Sequence, residues 1–180
     1  MATHLAFLRA VNVGGTGKVA MADLRSWLAE LGFAGAQTLL NSGNLVFRGG
    51  SRQGAELERF LEAGAQKRFG LATDFLVRSP AEWDDVLAGN PFPDAAREDP
   101  SHLLVVVLKA APTAASVRML QAAVAGREAV RARGRELYAV YPDGIGTSKL
   151  TLPLIEKHLG TRGTGRNWNT ALKLAALAKG

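Results

Sequence analysis

Two hydrophobic periods alternate along the first 78 residues, and their order constrains the fold more than any other feature of the chain. His4 to Arg9 is an apolar run of strand length. Met21, Leu24, Leu28 and Leu31 then recur on one helical face, with Asp23 in the first turn, where the helix dipole favours a carboxylate, and Gly32 as the stop. Thr38 to Leu40 and Leu45 to Arg48 flank Asn41-Ser42-Gly43-Asn44, residue types that tolerate positive φ and close a hairpin. Leu57, Phe60, Leu61 and Ala65 mark a second helix ended by Gly70, and Thr73 to Arg78 alternates as a fourth strand. Strand, helix, strand, strand, helix, strand is the split βαβ order of a ferredoxin-like plait.

The rest of the chain repeats much of that order. Ser79-Pro80-Ala81-Glu82 reads as a capping box opening a helix through Trp83, Val86 and Leu87 that stops at Gly89. Asn90-Pro91-Phe92-Pro93-Asp94 reads as irregular. Leu103 to Leu108 is the most apolar strand and is expected at the centre of a sheet. Thr113 caps a helix bearing Val117, Leu120 and Val124; Glu128 to Arg133 pairs with Arg135 to Tyr141 across Gly134. After Pro142-Asp143-Gly144, a helix from about Thr151, with Pro153 in its first turn, carries Ile155 and Leu159 to Gly160. The halves match through βαββα. Gly163-Thr164-Gly165 reads as a loop, and Trp168, Ala171, Leu172, Ala175 and Ala178 as a last helix that starts close to Asn167 and replaces or follows the final strand. The expected architecture is therefore an α+β, two-layer sandwich of two ferredoxin-like (βαββαβ) halves with an added C-terminal helix. Its divisions are 1–78, a linker helix and loop over 79–101, and 102–180.

Composition narrows the function classes. With no cysteine, the chain supports no disulfide framework, thiol nucleophile or thiolate metal site. It lacks a basic-then-apolar leader and any run of about 18 apolar residues, so a cytoplasmic protein without a membrane role is expected. A net charge of +6 favours anionic partners, although arginine also serves simply to solubilise.

Five motifs occur together: Phe7-Leu8-Arg9-Ala10-Val11-Asn12-Val13-Gly14-Gly15, Asn41-Ser42-Gly43-Asn44, Asn90-Pro91-Phe92, Gly144 with Ser148-Lys149-Leu150, and Arg166-Asn167-Trp168-Asn169-Thr170. In these the chain resembles the DUF1697 family of bacterial proteins over nearly its whole length. The resemblance implies ferredoxin-like halves and no settled activity. Gly165 departs from the family pattern, which has threonine there, and so removes a hydroxyl ahead of Arg166.

The polar residues of these motifs, with Lys18, form the candidate binding set: Arg9, Asn12, Lys18, Asn41, Ser42, Asn44, Ser148, Lys149, Arg166, Asn167 and Asn169. All are donors or neutral, none is a carboxylate, and such a set suits phosphate or carboxylate recognition. The ordinary reading is that Asn and Ser bond their own turns and that Asn167 caps a helix. Gly14-Gly15-Thr16-Gly17-Lys18 lacks the spacing of a phosphate loop. His4, His102 and His158 lie in different elements without an acidic partner at short range, and no metal-ligand spacing occurs, so no catalytic residue, metal or cofactor is assigned.

Phe7 and Phe47 fall on the strands that carry stacking aromatics in RNA-binding plaits, yet the RNP1 pattern is absent and a core role is expected. Arg131, Arg133 and Arg135 would line one strand face as a basic strip. The leading expectation is a protein binding an anionic, phosphorylated small molecule or RNA through a basic, Asn/Gly-rich groove. A metal-independent group-transfer enzyme acting on a phosphorylated substrate, using a carboxylate or histidine such as Asp143 in that groove, and a structural or interaction module are the alternatives.

Overall fold

The computed structural model describes residues 1–9, 19–40 and 43–180, and the chain divides into two units, Met1–Asp84 with Leu174–Gly180 and Asp85–Lys173. The first unit contains β1 (Thr3–Leu8), α1 (Met21–Glu30), β2 (Ala34–Leu39), β3 (Asn44–Arg48), α2 (Gly54–Phe69) and β4 (Phe75–Arg78). Its antiparallel sheet has the order β2-β3-β1-β4, the ferredoxin-like arrangement.

Alternation along β1 explains its place. Ala6 and Leu8 point into a core with Leu24, Trp27 and Leu28 of α1 and Leu57, Leu61 and Ala65 of α2. Leu5 and Phe7 alternate with these residues and are fully buried too, and the Phe7 ring lies 4.9 Å from that of Trp83. Phe47 packs at 4.9 Å from Phe33. Both strand phenylalanines are thus core residues.

Edge strand β4 is covered rather than bare. On α2, Glu62 accepts from the Phe75 amide at 3.0 Å and Glu58 from the Val77 amide at 2.9 Å, which occupies donors that could otherwise recruit another strand.

The chain continues through α3 (Pro80–Ala88), whose box forms reciprocally: Ser79 N donates to Glu82 at 2.7 Å and Glu82 N to Ser79 Oγ at 3.1 Å. The division between the units falls inside α3. The segment expected to be irregular, Asn90 to Asp94, is partly so: Asn90 bonds the Phe92 backbone through both side-chain atoms, but Pro93 then opens α4 (Pro93–Glu98). Proline costs nothing in a first helical turn, where its missing N–H has no partner anyway. A one-turn 3-10 helix at Pro100–His102 follows.

The second unit repeats the first sheet. It holds β5 (Leu103–Leu108), α5 (Ala114–Ala123), β6 (Ala129–Arg133), β7 (Glu136–Val140), α6 (Leu152–Leu159), β8 (Gly163–Asn167) and the start of α7 (Trp168–Lys179), in sheet order β6-β7-β5-β8. Val106, Leu108, Leu137 and Ala139 pack with Leu120 of α5 and Ile155 and Leu159 of α6. Thr113 and Thr151 cap α5 and α6 through their hydroxyls, and Trp168 is buried.

Two expectations change here. The β6–β7 turn has two residues, Gly134 and Arg135, with Arg133 opposite Glu136, so Arg135 leaves the strip formed by Arg131 and Arg133. The glycine run expected as a loop is strand β8, so the last helix follows the final strand and does not replace it. A side chain at 163 would place Cβ 2.6 Å from the Val107 carbonyl oxygen; glycine is what lets this strand lie against β5.

Candidate functional site

The candidate residues fall into small groups. Arg9 follows β1; its amide donates to Asp74 O at 3.1 Å and its carbonyl accepts from Thr73 Oγ1 at 2.5 Å. Asn44 lies at the same end of that sheet, opposite Phe7, fully buried, with Nδ2 donating to Leu39 O at 2.8 Å. That bond is a turn-fixing contact within the hairpin. Asn12, Lys18, Asn41 and Ser42 lie outside the described residues.

In the second unit, Ser148 and Lys149 occupy the connection after β7, while Arg166 and Asn167 end β8. Because β7 and β8 flank β5 and are each antiparallel to it, the connection after β7 and the end of β8 leave the sheet at the same end. Ser148 Oγ donates to Glu128 Oε1 at 2.6 Å and accepts from the Leu150 amide at 3.0 Å. The donor set is therefore joined by a carboxylate that the motifs did not contain. The Ser148 bond, and secondarily its own backbone amide, hold the Glu128 carboxyl low.

Asp143 is gripped by both Arg127 nitrogens, at 3.0 Å from Nε and closer from Nη2, and this pairing holds its carboxyl low. Tyr141 donates to Leu150 O at 3.0 Å; burial first, and Glu128 second, push its hydroxyl up to about 12. Lys149 is exposed.

Arg166 is 6 % exposed, and its Nη1 donates to Thr164 Oγ1 at 2.7 Å and Gly165 O at 2.8 Å. Removal from water pushes its guanidinium down to about 10. Asn167 Oδ1 accepts from the Thr170 amide at 2.9 Å and so caps α7; Asn169 is exposed beside it.

Other expected features are also engaged. The Arg131 guanidinium lies 5.7 Å from the Phe92 ring centre, and Arg133 Nη1 donates to Asp85 O at 3.0 Å. His102 was expected to lack an acidic partner, but Nδ1 is 2.8 Å from Asp99, three residues earlier across the proline turn. Ser101 Oγ donates to the same Asp99 carboxylate at 3.4 Å. His4 Nε2 bonds Gly49 O at 2.9 Å inside the first unit.

The opposite end of the second sheet holds residues that the motifs missed. A cavity of about 350 Å³ is lined by Lys109, Glu156, Gly160, Thr161 and Arg162. Lys109 directly follows β5, and its amide donates to Arg162 O at 2.8 Å; the Ala110 amide donates to Thr161 Oγ1 at 3.1 Å. Glu156 Oε2 accepts from the Gly163 amide at 3.1 Å, again occupying an edge-strand donor. The available signal was a basic residue at the end of the most apolar strand and another just before the final one. A smaller cavity of about 250 Å³ lies between the end of α5 and β6. Among the described residues, no group of three metal-ligating side chains occurs and no helix is long and apolar enough to cross a membrane.

Comparison with known proteins agrees with the fold. The model of a family described as "Protein of unknown function (DUF1697)" matches residues 1–138. No curated protein matches the chain. A solved structure of the conserved bacterial protein SP0830 from Streptococcus pneumoniae is similar over 98 % of each chain, at 20 % identity and a TM-score of 0.76, a likeness that shows fold alone.

Proposed function

The chain belongs to the DUF1697 family, a membership that carries a fold and no assigned reaction, and from that premise we propose that it binds a small phosphorylated or otherwise anionic ligand. The observation that carries this reading is the cavity at the end of β5, where Lys109, Arg162 and the Thr161 hydroxyl line one space of small-ligand size. Arginine offers a planar fork to phosphate oxygens and lysine a point charge, and a hydroxyl can donate or accept beside them. Glu156 lines the same space and opposes an anion, leaving one net positive charge. Affinity for inorganic phosphate alone should therefore be weak, on the order of 1 mM.

RNA is the less favoured occupant. Phe7 and Phe47 have no exposed surface with which to stack on a base, and Arg131 and Arg133 are turned to Phe92 and to the Asp85 carbonyl. No group-transfer step is proposed; Asp143, the example named for it, is bound by Arg127.

Phosphate at about twenty times its dissociation constant should raise the unfolding temperature by roughly 3–6 °C over chloride at equal ionic strength. Lys109→Ala and Arg162→Ala should each remove at least half of that difference, while Lys149→Ala should leave it. No preference for phosphate over chloride would sink the reading, and loss through Lys149→Ala alone would move the site to the other sheet end.

A further inference from the structure

We infer that the N-terminal half carries a second copy of the anion site, silenced by the sign of one side chain. The inference rests on the proposed reading of the Lys109–Arg162 cavity.

The two halves correspond in strand register and in the backbone bonds that anchor the ends of their central strands. Leu5 stands opposite Arg78 as Val105 stands opposite Arg166, each being the third residue of its central strand. Leu8 donates to Gly43 O at 2.8 Å as Leu108 donates to Arg135 O at 2.9 Å. Arg9 donates to Asp74 O at 3.1 Å as Lys109 donates to Arg162 O at 2.8 Å. Thr73 and Thr161 sit just before those residues, and each hydroxyl bonds the backbone extending from its central strand. Glu62 receives the Phe75 amide as Glu156 receives the Gly163 amide. Arg9, Thr73, Asp74 and Glu62 are thus the counterparts of Lys109, Thr161, Arg162 and Glu156.

The strand registers match, although Glu62 lies 13 residues before Phe75 and Glu156 only 7 before Gly163, and the charges do not match. Arg9, Asp74 and Glu62 sum to one net negative charge, and Lys109, Arg162 and Glu156 to one net positive charge. The whole difference arises at the position held by Asp74 in one half and Arg162 in the other. An anion approaching the first site meets a carboxylate where the second presents a guanidinium, and like charge excludes it. One anion per chain is the consequence.

The test is a titration of the full chain with inorganic phosphate, followed by backbone amide shifts in NMR. In the wild type, Lys109, Thr161 and Gly163 should shift, and Arg9, Thr73 and Phe75 should stay. Asp74→Arg should add shifts at Arg9, Thr73 and Phe75, doubling the sites; Asp74→Asn, which removes only one of the two charges, should add them at higher phosphate. Arg162→Asp should abolish those at Lys109, Thr161 and Gly163. Unfolding temperatures identify any variant that fails to fold, and the Asn variant then decides. Folded Asp74 variants that bind only at the second site would overturn the inference and leave the proposed function standing, as would wild-type shifts at both ends. Wild-type protein with no shifts at Lys109, Thr161 and Gly163 would overturn the proposed function itself.

Discussion

Arg166 shows how far a residue type can be read without its surroundings. Its donor chemistry was legible in the sequence and led to an expected place beside an anion. Its burial was not, because an arginine among glycines carries no period that would mark it as part of a strand. In the structure its donors serve Thr164 and Gly165, and burial pushes its pKa down from its ordinary value to about 10. A depression of that size corresponds to a desolvation cost of roughly 3 kcal/mol. Its bonds to Thr164 and Gly165 offset part of this, at about 1 kcal/mol each. Arg166→Met should therefore match or exceed the wild-type urea midpoint at pH 9. The sign of the pH effect follows from the depressed value: between about 10 and the ordinary value the unfolded chain holds more protons, so wild-type stability rises with pH relative to the variant. A methionine variant clearly less stable at pH 9 would show that the arginine contributes more than it costs, and a gap unchanged at pH 11 would show that burial does not depress its pKa.

Among the elements, helices and their ends were the most legible, because caps are local chemistry. Thr113, Thr151 and the Ser79–Glu82 box act where the sequence placed them. Three carboxylates were not legible: Glu58, Glu62 and Glu156 resemble solvent-facing helix residues until a strand edge is set beside them. Strand β8 was also hidden, since glycine signals a turn unless another backbone comes close. The two glycines differ in what they make room for. A Cβ at Gly163 would meet the Val107 carbonyl at 2.6 Å, a group fixed in the ladder, whereas at Gly165 it would meet the tip of Leu104 at 2.8 Å. The Leu104 side chain can turn aside. Gly163→Ala should cost roughly 2–3 kcal/mol and Gly165→Ala under about 1 kcal/mol in urea unfolding. Equal costs would mean that the close approach to Val107 is not what requires glycine.

At the scale of the chain, order along the sequence and membership of a folded unit part company. The repeated sheet order was legible because both halves alternate the same periods, but a boundary read from composition falls between elements, and here the division passes inside α3 and again inside α7. Leu174 to Gly180 thus belong with the first 84 residues, although β8 and the beginning of α7 belong to the second unit. Leu174 is fully buried, and within the first unit the tail has polar contacts: Arg48 donates to Gly180 O at 3.2 Å, and Lys179 lies 3.1 Å from Asp84. The two polar contacts are exposed and contribute little. Buried Leu174 dominates, at roughly 2–5 kcal/mol for its removal. A chain ending at Lys173 should therefore lose hydrogen-exchange protection first in β1, β3 and β4, all distant in sequence, and keep more of it in β5 and β7 of the second unit. Protection lost evenly, or lost first in β5 and β7, would show that the tail supports the unit it follows in sequence.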